Sequence, residues 1–229
     1  MNLNVLRNKP GLRISAVALT AAIGLGSMAG AASASTTVAA RPRPVAVRQA
    51  QCDTLILWRQ IVLTATQTRV DGVKRLTADQ KAGIDAEITT ALTNLTTVNK
   101  PAVDSATTLA AVNAACQAIF TDNRVFAVVV PQSDLIAKGD VMGSFHDSFA
   151  QRSAALAAAG KDTTAIDASL ASAETKITAA QGQVTDATVD LYNSNPGQVE
   201  AIFANVRSNL FGALVDLRSA REGLVALGG

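Results

Sequence analysis

Apolar residues recur along this chain at steps of three and four, and that rhythm predicts helices from about residue 49 to the end. Between Gln49 and Arg75, Cys52, Ile56, Leu63, Val70 and Val73 share one helical face. Leu55 and Val62 widen it, and Trp58 lies off it, so this first helix is expected to be buried on two sides. Thr77-Ala78-Asp79-Gln80 fits a capping box and opens a second helix carrying Ile84, Ile88, Leu92 and Leu95 to about Val98. Lys100-Pro101 is expected to break the chain. Asp104 or Ser105 would then cap a third helix with Leu109, Val112, Cys116, Ile119 and Phe120 on one face.

The densest apolar run beyond the N-terminal region is Ile119 to Pro131, and the pattern changes character there. Its valines would suit a strand, but no other segment offers a partner, and an unpaired buried strand leaves backbone groups without hydrogen bonds. The run is therefore predicted as helix, or as a helical turn leading into a break before Pro131. Beyond it come three longer helices. One runs from about Gln132 to Ala159, with Leu135, Met142, Phe145, Phe149 and Leu156 on its stripe and Gly160 as its C-cap. The next carries Ile166, Leu170, Ala173, Ile177, Ala180, Val184, Ala187 and Leu191 without a break. Asn195 and Pro196 open the last, with Val199, Phe203, Val206, Leu210, Ala213, Leu217, Ala220, Leu224 and Leu227. Short connections make neighbours antiparallel, and the spacing favours coiled-coil-like packing. The fold class expected is all-α, an elongated antiparallel bundle of helical hairpins.

The N-terminal residues read as an address. Arg7, Lys9 and Arg13 form a basic start, Ile14 to Ala32 carries no charge, and Ala32-Ser33-Ala34 supplies small residues for cleavage. The expected organisation is a signal peptide at 1–34, a Pro/Arg-rich linker at 35–48, and a helical domain at 49–229. That domain divides into short helices plus the pivot (49–130) and a long-helix hairpin (131–229). An uncleaved anchor helix is the alternative; no later run is long and apolar enough to span a membrane.

Cleavage would take away three cations and no anion, moving the formal charge from +2 to about −1. A near-neutral chain lacks the basic footprint that nucleic acid requires. Arg41, Arg43 and Arg48 could touch anionic wall polymer or lipid headgroups, though more weakly than a dedicated site would. The two cysteines, Cys52 and Cys116, are expected to pair in an oxidising space.

The run Ile119 to Pro131, together with the turn Gly160-Lys161-Asp162-Thr163, resembles segments of uncharacterised, secreted, all-helical proteins of high-GC Gram-positive-type bacteria. In those proteins the run separates a short helical part from a long heptad hairpin. The resemblance implies secretion and helical architecture. It carries no activity, so no functional residue follows from it.

Candidate chemistry is sparse. His146 is the sole histidine, with Asp147 beside it and Ser144 nearby, but adjacent helical positions point to different faces and nothing marks a nucleophile or oxyanion site. A surface histidine is expected. Asp134, Asp140 and Asp147 form a spaced row without an EF-hand pattern, and no phosphate-binding glycine loop is present. No metal, cofactor or enzymatic activity is expected. Asp122 and Arg124, amid apolar residues, are candidates for a structural ion pair or a recognition role. Phe120, Phe126, Phe145 and Phe149 are candidates for an apolar pocket. The reading that results is a secreted or cell-envelope protein acting by contact with a protein or envelope partner. The alternative is a carrier holding a small apolar ligand between helices.

Overall fold

The computed structural model describes residues 44–228. The signal-peptide and cleavage expectations, and the linker up to residue 43, lie outside the described residues. Within them the chain is all-helical: α1 (Pro44–Gly72), α2 (Ala78–Asn94), a π-helical turn (Leu95–Asn99), α3 (Lys100–Ser105), α4 (Leu109–Thr121), α5 (Val125–Ala158), α6 (Thr164–Val184), α7 (Val189–Ser194) and α8 (Pro196–Ala226).

Several caps form as their residue types dictate. The Thr77 hydroxyl accepts from the Gln80 backbone while the Gln80 side chain accepts from the Thr77 N–H, closing the box at α2. Asn195 accepts from the Gln198 N–H with Pro196 opening α8. Gly160, at φ 76°, ends α5; its N–H bonds the Ala157 carbonyl and that of Lys161 bonds Leu156, a Schellman arrangement that a side chain at this φ would strain.

The helix boundaries depart from the sequence reading where tertiary partners intervene. Pro44 to Arg48 is already helical rather than linker, with Pro44 where its missing N–H costs nothing. Lys100-Pro101 does not break the chain. The preceding turn widens, so that the Lys100 N–H reaches back to Leu95, and Pro101 falls at the start of α3. The cap of α4 is Thr108, whose hydroxyl accepts from Ala111, rather than Asp104 or Ser105.

Nor does Pro131 start a helix; α5 begins at Val125 and runs through it. An interior proline costs about 3 kcal/mol. The full burial of Val125, Val128 and Val129 outweighs that, since each contributes roughly 1.5 kcal/mol or more.

The helix expected to run unbroken from Ile166 to Leu191 is not continuous either. α6 stops at Val184, and the chain turns before α7. The buried Gln132 amide of α5 donates to the carbonyls of Val184 and Ala187, at 2.8 and 3.1 Å. Glu87 of α2 accepts from the Val189 N–H at 2.9 Å. Distant side chains thus supply the hydrogen bonds that continuing the helix would have made.

One large core joins α1 to α4, the first part of α5, the end of α6, α7 and the start of α8. A smaller one, Ile166, Leu170, Ala173, Leu217, Ala220 and Leu224, fills the far end of the long helices. Contacts along those helices pair Ser153 with Asp167, Gly139 with Gln181, Lys176 with Asp216 and Gln183 with Asn209. Cys52 and Cys116, both buried, stand at disulfide distance with Cα atoms 5.5 Å apart, tying α1 to α4.

Candidate interaction surface

α1 has two seams. Its inner seam, Cys52, Ile56, Arg59, Leu63, Thr66 and Val70, is buried. Its outer seam follows the same alternation of three and four: Val47, Ala50, Thr54, Leu57, Ile61, Thr64 and Thr68. All seven are exposed and none is charged. The expectation that α1 is buried on two sides is therefore corrected. Leu57 is 60%, Trp58 55% and Ile61 68% exposed, where a solvated helix would carry charge.

Behind this seam a buried cation joins α1 to α4 and α5. Arg59, only 6% exposed, lies with its guanidinium 4.1 Å from the Phe126 ring centroid and 4.5 Å from that of Phe120. Its Nη1 donates to the Ile119 carbonyl at 2.9 Å, occupying an acceptor near the end of α4. Burial lowers the Arg59 pKa, and the two ring faces and the carbonyl hold the cation in place. Trp58 turns outward and stacks on the far part of this assembly, 6.2 Å from Phe126 at 22°. Sequence reasoning passed over Arg59. Its signal was a single cation set on the inner stripe between Ile56 and Leu63.

The predicted four-phenylalanine pocket does not exist as one site. Phe126 and Phe145 are nineteen positions apart on one continuous helix, roughly 28 Å along its axis. Phe120 and Phe126 serve Arg59. Phe145 and Phe149 stack at 6.4 Å and form, with Leu214, Leu217, Arg218 and Arg221, a separate groove of about 380 Å³ between α5 and α8.

Asp122 and Arg124 do not pair with each other among the described residues. Asp122 accepts from Thr121 and, at 3.5 Å, from the Asn99 amide; Arg124 is exposed at the start of α5. Asp122 closes α4 and Arg124 precedes α5, so each stands at the end of a different helix. Both line a mixed polar and apolar cleft of about 260 Å³ with Asn123, Glu87 and Asp190. Burial pushes the Glu87 carboxyl pKa up, although the Val189 N–H opposes this. Beneath the cleft, the buried Asn123 amide donates to Asn99 Oδ1 and to the Ile119 carbonyl.

His146 departs from expectation too. Its side chain is largely covered and its Nδ1 lies 3.1 Å from Asp147 Oδ1 and 3.5 Å from Glu174 Oε2. The cluster is built by Arg75, which bonds Asp147 at 2.7 Å, both Glu174 oxygens, and the Gly143 carbonyl. Gly143 makes room for it, since a Cβ there would overlap the guanidinium. This also corrects the α5 stripe: Gly139, Gly143 and Ser153 are buried, whereas Phe145 is exposed. The hydrogen bond from His146, and then Arg75, hold the Asp147 pKa down. Burial disfavours the Arg75 charge, but its carboxylate partners outweigh that and raise its pKa. The Ser144 hydroxyl donates back to the Asp140 carbonyl rather than toward His146. No group of three or more ligand-type side chains suited to a metal stands together among the described residues, and no helix among them is long and apolar enough to cross a membrane.

No family model, curated protein or solved structure matches the chain.

Proposed function

We propose that this is an exported helical protein, not an enzyme, which acts by contact through the outer face of α1. The observation that carries the reading is the uncharged, heptad-spaced exposed seam centred on Leu57, Trp58 and Ile61. Exposed large apolar residues in a contiguous group are unfavourably hydrated, burial against a partner relieves this, and aromatic residues anchor such contacts. The Arg59 clamp supports the reading because a pre-organised surface loses little freedom on binding.

Support for export comes from the signal-like residues 1–34, which would leave Ser35 as the mature N-terminus, and from the cysteine pair at disulfide distance. The resemblance to secreted helical proteins belongs to the same proposal. The cross-helix pairs of α5, α6 and α8 support antiparallel, coiled-coil-like packing that would present α1 on a stiff body.

A photo-crosslinking residue at Ile61 of the secreted protein tests this. A discrete adduct at Ile61, absent with the same residue at exposed Arg152 of α5, is the expected result. Equal or no adducts at both positions would sink the reading.

The groove at Phe145 and Phe149 favours a second reading, a carrier of an anionic amphiphile. Its floor is apolar, and Arg218 and Arg221 belong to its lining. Saturable binding of a fatty acid that Phe149→Asp abolishes would favour it over the contact protein.

A further inference from the structure

We infer that the partner of the α1 outer face is a second copy of this chain, packed α1 against α1 about a two-fold axis. This rests on the contact reading above and names its partner. Three observations lead to it.

The outer seam keeps alternating three- and four-residue steps from Val47 to Thr68, the spacing that meshes with another helix rather than with a sheet or a flat surface. Its exposed positions carry no charge, so they offer nothing to steer a basic or acidic partner, while a second copy meets no like charge along the seam. The seam is also self-complementary in one orientation. With the two helices antiparallel, Leu57 meets Ile61 of the second copy, Thr54 meets Thr64, and Ala50 meets Thr68. The largest side chains thus cluster at the axis, with the smaller ones outside. Trp58 flanks that axis, and the two indoles come side by side. A parallel pairing would instead set exposed Asp71, the next position on the seam, against its own copy; the antiparallel pairing sets it against Val47. Isologous contacts of this kind are the commonest way in which chains self-associate.

The size of the contact fixes its strength. A single helix pair about 22 residues long lies at the small end of specific interfaces, below ~1,200 Å² in total. The dimer should therefore be weak and concentration-dependent, with half-association in the micromolar range or above.

The experiment uses the disulfide-intact secreted protein. Sedimentation equilibrium across roughly 1 µM to 1 mM should show a monomer–dimer transition in that range. Ile61→Lys should weaken it at least tenfold, with unchanged helical content. Because Cys52 and Cys116 are paired, an introduced thiol is the only free one. Trp58→Cys should give a disulfide-linked dimer on mild oxidation, and a mixture of chains carrying Thr54→Cys and chains carrying Thr64→Cys should give mainly the mixed disulfide, as the antiparallel arrangement requires, keeping the test independent of the loss of Trp58. A chain that stays monomeric throughout, or dimerises equally with Ile61→Lys, would overturn the inference. If it stays monomeric while Ile61 still crosslinks to a different protein, the contact reading stands and self-association falls. If Ile61 crosslinks to nothing, both fall.

Discussion

Trp58 and Arg59 are neighbours in the chain and stand about 100° apart around α1: Trp58 is 55% exposed and Arg59 is 6% exposed. Phe126 connects them, carrying the indole at 6.2 Å and the guanidinium at 4.1 Å. The buried cation thus fixes the ring on which the exposed indole rests. The link runs from a misplaced-looking arginine in the sequence to the placement of an exposed indole.

Arg59→Ala should therefore cost more than a surface change. It removes a charge-assisted hydrogen bond to Ile119 and two ring contacts and leaves a void, for a loss of about 2–4 kcal/mol. Trp58 emission should shift to the red as its platform loosens. Urea denaturation followed by fluorescence checks both, and an unchanged midpoint would mean the clamp is not structural.

Gln132→Leu keeps most of the side-chain volume but leaves the Val184 and Ala187 carbonyls without their donor. The expected loss is about 1–3 kcal/mol. Amide hydrogen exchange should quicken at the α6–α7 turn before it does so elsewhere.

Two carboxyls should shape the pH dependence in opposite senses. The Asp147 pKa is depressed in the fold, so its stabilisation is present above the unfolded value near ~3.9 and is lost as pH falls through the lower folded value. The Glu87 pKa is raised, so stability from that group is greatest below about 4.3 and falls as pH climbs through the higher folded value. Glu87→Gln should reduce the second trend, which the Asp85 carboxyl, also raised by burial, shares, and should leave the acid limb. Thermal melts of both proteins from pH 3 to 7 would show this, and identical profiles would contradict it.

Reduction should act unevenly. The bond closes a separation of 64 residues, which in the chain-entropy account corresponds to about 4 kcal/mol. It joins α1 to α4, so hydrogen exchange should rise across residues 49 to 120 while the long helices stay protected. Equal loosening of both halves would refute this division.

How far the sequence revealed the fold depends on who supplies each hydrogen bond. The stripes of α6 and α8 were legible residue by residue because Ile166, Leu170, Ile177, Phe203, Leu210 and Leu217 bury themselves by periodicity alone. The break after Val184 was not, since the groups that stabilise it, Gln132 and Glu87, lie 52 positions before Val184 and 102 before Val189. The α5 stripe misled for another reason. Leu135, Met142, Phe145 and Phe149 have the right spacing, but Gly143 admits Arg75 and Gly139 admits Gln181, so the small residues turn inward. At the candidate surface, the large apolar girth of α1 was visible. What faced water was not, because composition alone does not say how many sides of a helix the rest of the chain covers.

The account stands most directly on whether the outer face of α1 is covered where the protein works. Hydroxyl-radical footprinting of the protein in the setting where it works, compared with the dilute purified chain, measures this at Leu57, Trp58 and Ile61. The account predicts strong oxidation of all three in dilute solution and marked protection in the native setting, with exposed Val141 and Val225 as unprotected references. Equal oxidation of the α1 face in both settings would contradict it.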